Sequence, residues 1–156
     1  MIKIEIPGRP ALMLEHLITD FNGTIAERGR LLEGVGERLQ KLSEQLRITV
    51  LTADTFGQAR SETAGLPIEL VILAGGDEAT AKAEHVAGVG SEQTVTLGNG
   101  HNDRLMLEEA ALGLVVIQGE GTASTALDAS DVLFRDVRDA LDALLDPQRL
   151  VATLRS

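Results

Sequence analysis

The chain has no cysteine, no tryptophan and no tyrosine, and only three phenylalanines among 156 residues. Without cysteine there are no disulfides, no thiolate metal sites and no cysteine nucleophile. With an aromatic fraction of 2%, few side chains can stack on bases, which argues against a single-strand nucleic-acid binder. Basic residues are also in short supply: 14 Lys and Arg face 24 Asp and Glu, for a formal charge of −10. Such a field repels phosphate backbones. A phosphorylated small molecule stays possible, because a bound cation reverses the sign locally. No apolar run approaches the length of a membrane span, and "MIKIEIPGRP" lacks the apolar centre of a signal peptide. The expectation is a soluble, cytoplasmic protein with no nucleic-acid or membrane partner.

What is present is aliphatic. Hydrophobic residues make up 44% of the chain, enough for one domain, 1–156, with a sizeable core. Short apolar runs alternate with helical patterns. Ile2 to Ile6 alternates as a half-buried strand does, and "LMLEHLITD" reads as a strand ending at Asp20. From Arg30 to Leu46 the apolar positions recur at helical spacing. "RITVLTAD" reads as a strand buried on both faces, followed by a short helix from Thr55 to Ala64 and a strand in "IELVIL". A helix from Asp77 to about Val89, a strand in "QTVTLGNG", a helix from Asn102 to Leu112, a strand in "LGLVVIQG", a short helix in "TASTALDAS" and a strand in "DVLF" complete the alternation. An amphipathic helix broken near Pro147 ends the chain. This order predicts an α/β fold: a Rossmann-like three-layer sandwich around a mostly parallel sheet. In such sheets ligands bind at the carboxyl ends of strands, near a switch in strand order.

Four strand-end positions can carry chemistry. Asp20 stands in Asp20-Phe21-Asn22-Gly23-Thr24, which reads either as a turn or as a carboxylate nucleophile for phosphorus. Thr52 reads as a helix cap or as a phosphoryl hydrogen-bond donor, with Ala53 beside it in the turn. Lys82 reads as part of a solvated helix face, paired to Glu78, or as a cation reaching inward. Asn102 or Asp103 reads as a cap, or Asn99 and Asp103 as oxygen ligands for magnesium. His16 and His101 lie near these positions, but no histidine ligand set is spaced for a metal.

In order and spacing these elements resemble the haloacid dehalogenase (HAD) superfamily of aspartate-nucleophile phosphohydrolases. That family's Asp-x-Asp-Gly-Thr is similar to Asp20–Thr24, its strand-end Thr or Ser to Thr52, its Lys to Lys82, and its Gly-Asp-Gly-x-Asn-Asp loop to Gly98–Asp103. The last of these, with "GEGTASTALDASDVLF" after it, is most similar to the phosphorylation domain of P-type ATPases and their soluble relatives. The resemblance implies that Asp20 attacks phosphorus and that Gly23, Thr52, Ala53 and Lys82 hold the phosphoryl group. It implies that Mg2+ is bound by Asp20, the Asn22 backbone, Asn99 and Asp103. The gaps from Thr24 to Thr52 and from Thr52 to Lys82 hold no sizeable cap domain, so an open site is expected, acting on a phosphorylated small molecule or protein, with self-association possible. No membrane segment or nucleotide-binding insertion is visible, so an ion pump is not expected.

Two residues depart from the pattern. Asn22 stands where the family's phosphatases have an acid that protonates the leaving group and then activates water. Asparagine has no titratable proton at neutral pH, so slow turnover is expected. Asn99 stands where an aspartate usually helps bind magnesium. A catalytically impaired module that binds a phosphorylated ligand or protein partner is the alternative; a Rossmann-type nucleotide binder finds little support in "GEGTAS".

Overall fold

In the computed structural model, which describes residues 1–54 and 57–156, six parallel strands form the central sheet. The chain enters through an antiparallel pair, β1 (Ile2–Ile4) and β2 (Leu12–Leu14), then runs into the first central strand, β3 (His16–Thr19). A small antiparallel hairpin follows, β4 (Ala26–Glu27) and β5 (Arg30–Leu31). Next come α1 (Val35–Leu42), β6 (Arg47–Thr52), α2 (Ala59–Glu62), β7 (Glu69–Ile72), α3 (Glu78–Val89) and β8 (Thr94–Gly98). A single 3-10 turn, His101–Asp103, leads into α4 (Arg104–Glu109), and the chain closes with β9 (Leu112–Val116), α5 (Ser124–Asp128), β10 (Val132–Phe134), α6 (Val137–Leu145) and α7 (Gln148–Leu154).

Across the sheet the order is β10-β9-β8-β3-β6-β7. The chain moves from β3 outward through β6 to β7, then returns to the other side of β3 and continues outward through β8, β9 and β10. The switch in strand order therefore falls between β3 and β8, where open α/β sheets place their ligands.

Alternation along the buried strands builds two apolar layers. Leu17, Val50, Val95, Leu97 and Leu114 point to the side covered by α1 and α6, in one continuous core with Val35, Leu39, Leu141 and Leu144. Ile18 and Leu51 point the other way and pack with Val86 of α3 and Met106 of α4. Val115 packs with Leu107 of α4 and Ala126 of α5. The result is the expected three-layer α/β sandwich. The chain between Thr24 and Thr52 holds only the β4–β5 hairpin and α1, so no large cap covers the strand ends.

Several boundaries differ from the sequence expectation. The stretch "LMLEHLITD" is two strands in two different sheets, with exposed Glu15 between them. The helix expected from Arg30 begins only at Val35, because Arg30 and Leu31 pair with Ala26 and Glu27. The helix expected over Thr55–Ala64 is observed as α2 alone; Thr55 and Phe56 lie outside the described residues. Leu112, expected to end a helix, instead begins β9.

Helix and sheet approach closely at Gly113. A Cβ there would stand 2.6 Å from the main-chain oxygen of Leu107 in α4. Gly113→Ala is therefore expected to push α4 off the sheet and to destabilise the chain by about 1–3 kcal/mol, the usual range for overpacking. Urea unfolding followed by circular dichroism measures this; an unchanged midpoint would contradict the packing described.

Candidate functional site

Asp20 follows the last residue of β3, and its amide donates to the carbonyl of Leu97 at 2.9 Å, so the tips of β3 and β8 are tied together at the switch. The side chain is largely buried, 7% exposed. Its Oδ1 accepts from Lys82 Nζ at 2.8 Å, and its Oδ2 from Thr24 Oγ1 at 3.3 Å. Lys82 is fully buried. On α3 it falls on the same inward stripe as Ala79 and Val86, three and four residues away. The inward reading of Lys82 is therefore the one observed, and the solvated-face reading is not.

Lys82 is shared. Its Nζ also donates to Asp103 Oδ1 at 2.7 Å. Asp103 Oδ2 accepts the main-chain amides of Asn99 and Gly100, both at 2.9 Å. Asp103 is fully buried, does not line the cleft, and has both oxygens engaged. The structure thus places it behind Lys82, as the group that fixes the ammonium and the Gly98–Gly100 loop. Its carboxylate faces the lysine and the loop amides rather than the open cleft.

The two asparagines can be oriented by chemistry alone. Gly29 N–H, in the β4–β5 turn, donates at 2.7 Å to Asn22, so the atom it meets is the amide oxygen. Asn22 therefore latches the hairpin with its oxygen. The Gly121 carbonyl can only accept, so the atom of Asn99 3.1 Å away is Nδ2. Asn99 Oδ1 then accepts from Thr24 Oγ1 at 3.1 Å. Gly23 lies between them with φ of +80°, and a Cβ there would stand 2.5 Å from Asn99 Nδ2 and from Glu120 Oε2. Only glycine fits that approach.

Thr52 ends β6, is buried, and its Oγ1 accepts the amide of Asp54 at 2.9 Å, which leaves the hydroxyl proton to be donated elsewhere. The capping role falls to Asp54, which accepts from Ala59 N at 2.9 Å. Asp20, Asn22, Thr52, Ala53, Asn99, Gly100 and Asn102 line one cleft of about 280 Å³, together with Glu78 and Glu120. Neither glutamate was singled out from sequence. Glu78 did have a signal, the first turn of a helix whose fifth position is Lys82; Glu120, on a loop without periodicity, had none. His16, expected near the site, begins β3 and pairs with Arg47 and Thr94 at the opposite end of the sheet. His101 is exposed and meets Thr125. A larger hollow of about 630 Å³ at that opposite end, beside Leu12, Gln93 and Ala110, has only exposed charged groups on its walls.

Electrostatically the centre is one charge short. Two buried carboxylates share a single ammonium. Burial and the neighbouring Asp103 charge push the Asp20 carboxyl up to about 7, against the opposing pull of Lys82. Burial alone would lower the Lys82 ammonium, but the charges of Asp20 and Asp103 outweigh it and hold the group well above its ordinary value. Oxygen donors without nitrogen or sulfur, beside an anionic excess, suit a hard divalent cation. The donor set fits such an ion through Asp20 Oδ2 and Asn99 Oδ1.

No protein-family model matches the chain. It is 45% identical over 65 residues, 42% of its own length and 70% of the other's, to the uncharacterized protein MJ0073 of Methanocaldococcus jannaschii. Among solved structures it is similar to the cobalt-bound deoxy-D-mannose-octulosonate 8-phosphate phosphatase of Haemophilus influenzae, with a TM-score of 0.71 and 19% identity, covering 92% of this chain and 94% of that one. It is also similar to the 3-deoxy-D-manno-octulosonate 8-phosphate phosphatase of Moraxella catarrhalis, solved with magnesium, phosphate and the sugar acid. There the TM-score is 0.69 and the identity 16%, with 91% and 94% covered. At that identity the likeness is one of fold: the chain has the HAD-like α/β fold.

The raised Asp20 pKa carries a pH signature. A carboxyl whose folded pKa lies above its unfolded value is stabilising while protonated, and that contribution is lost as pH rises through the folded pKa. Metal-free protein should lose stability between about pH 4 and about pH 7 from this group. Asp20→Asn should therefore melt several degrees above wild type in EDTA at pH 8.5, with the gap closing towards pH 4. Thermal melts across that range check it; a gap independent of pH would contradict the electrostatic account.

Proposed function

We propose that this chain, which belongs to the family of the archaeal protein MJ0073, is a magnesium-dependent phosphohydrolase that works through an aspartyl phosphate on Asp20. The observation that supports this best is the Asp20–Lys82–Asp103 arrangement at the switch point, a buried carboxylate held by one ammonium at the mouth of an open cleft. An Asp20 oxygen attacks phosphorus, the ester oxygen leaves with the electron pair of the broken P–O bond, and water later displaces the carboxylate to release phosphate. Lys82 holds Asp20 Oδ1 and neutralises charge as the phosphoryl group is transferred. Thr52 has a hydroxyl proton to donate to a phosphoryl oxygen, with the Ala53 turn beside it. A divalent cation against Asp20 and Asn99 supplies the positive charge that keeps Asp20 ionised near neutral pH.

Asn22 sets the speed. Its oxygen is taken by Gly29, and no proton can be lost from its nitrogen at neutral pH, so leaving-group protonation falls to solvent. The same feature supports the alternative of a module that binds phosphorylated ligands with little turnover. The further proposal of kinship to the P-type ATPase phosphorylation domain rests only on the resemblance of the Gly98–Asp103 and Gly119–Phe134 sequences.

Release of phosphate from p-nitrophenyl phosphate, with and without Mg2+, tests the reading. Wild type is expected to be slow and to need the metal. Asn22→Asp retains an acceptor for Gly29 and should gain about 10²–10⁴-fold, the usual worth of general acid–base assistance. Asp20→Asn should be inactive. If none of the three exceeds a blank, the generic phosphatase reading is badly weakened and the binding-module reading is favoured.

A further inference from the structure

Glu120 sits on the loop after β9, and nothing in the reaction above uses it. Among the described residues its carboxylate has no hydrogen-bond or ion-pair partner. The other two carboxylates lining the cleft are engaged: Asp20 by Lys82 and Thr24, and Glu78 by Asn102 Nδ2 at 2.8 Å. Glu120 lines the same cleft, and its Oε2 and the Asn99 amide crowd one point beside Gly23.

The loop that carries Glu120 is held in place from several sides. Asn99 Nδ2 donates to the Gly121 carbonyl, and the Ala123 amide donates back to the Asn99 carbonyl at 2.9 Å. The Gln118 side chain donates to the Thr24 carbonyl, and Thr122 Oγ1 to the Val116 carbonyl at 2.6 Å. The strap to Gly121 needs an amide at position 99, because an aspartate has no N–H to give. The residue that removes a charge from the cation site is thus the one that fastens the loop bringing another charge to it.

We infer that Glu120 is a cation ligand, direct or through one water, and that it replaces the carboxylate absent at Asn99. This deepens the reading above and rests on its cation. With Asp103 committed to Lys82, the cation would meet Asp20, Glu120 and the Asn99 oxygen, the small number of carboxylates that magnesium takes when substrate phosphate completes its shell.

Mn2+ binding, read by electron paramagnetic resonance and by calorimetry on the full chain without substrate, tests this. Glu120→Gln should weaken Mn2+ by about 10–100-fold and leave the melting temperature in EDTA unchanged, because the side chain is exposed. Glu78→Gln should bind close to wild type. Asn99→Asp combined with Glu120→Gln should recover affinity relative to Glu120→Gln alone, since one carboxylate has moved back. Wild-type affinity in Glu120→Gln, or no recovery in the double variant, overturns the inference. So does a Glu120→Gln chain that binds Mn2+ normally but dephosphorylates slowly, which would make Glu120 a proton carrier. A wild type that binds Mn2+ through Glu120 yet releases no phosphate keeps this inference and loses the phosphohydrolase reading; a wild type that turns over with an unaltered Glu120→Gln affinity does the reverse.

Discussion

Everything at the strand ends is arranged around one buried ammonium. Lys82 touches two carboxylates at 2.7 and 2.8 Å with no exposed surface of its own. At an effective dielectric near 20, each contact is worth on the order of 6 kcal/mol of Coulomb attraction. Desolvation costs several kcal/mol for each of the three ions. The two sums are of similar size, so the triad adds little net stability. What it fixes is position. Asp20 is aimed from the end of β3, Lys82 from α3 and Asp103 from the turn before α4; losing Lys82 would leave two buried carboxylates without their partner, at about 3–5 kcal/mol, whereas losing either carboxylate leaves the ammonium still paired with the other. The carboxylate at the centre is thus held in place by interactions that do not stabilise its ionised form enough, and a cation in the cleft would complete the balance.

Much of this was legible in the sequence because it rests on local rules. Alternating strand and helix patterns gave the parallel sheet, and the ends of β3, β6 and β8 pointed to Asp20, Thr52 and Asn99. The inward turn of Lys82 was already present in its spacing from Ala79 and Val86, although its acidic neighbours masked it. Other features were out of reach. The β4–β5 hairpin is two residues on each side, too short for periodicity to register. The single exposed Glu15 separating β2 from β3 looks like one polar position in an alternating strand. The contact of Asp103 with Lys82 had no local trace, because the lysine is 21 residues away and closes on it only in three dimensions. Glu120 sits in a loop whose course is set by Asn99, just after β8, and by the Thr24 carbonyl in the first turn, so its approach to Gly23 has no local trace.

The two asparagines are best understood as amides rather than as missing acids. A carboxylate only accepts, whereas an amide accepts and donates. At position 22 the oxygen secures the hairpin that borders the cleft. An aspartate could do that equally well, so the hairpin gives no reason for the asparagine. At position 99 the situation is opposite: the donated hydrogen bond to Gly121 is one an aspartate cannot make, so geometry favours the amide and the loss of charge is its consequence.

That difference bears on how the cleft manages its charge. Asp20 already resists ionisation with a single neighbouring carboxylate behind Lys82. A further aspartate at position 99 would place a third carboxylate in the buried floor, where desolvation is severe and Lys82 is the one buried cation among the described residues. Moving the charge to Glu120 puts it on the solvent side of the same cleft, where water screens it until a cation arrives. The floor then carries less negative charge in the metal-free state, and on the proposal above the cation would be met by one buried and one exposed carboxylate instead of two buried ones. In the proposed site the exposed Glu120 would turn back into water when the cation leaves, so release would strand fewer unbalanced charges inside the fold than two buried carboxylates would.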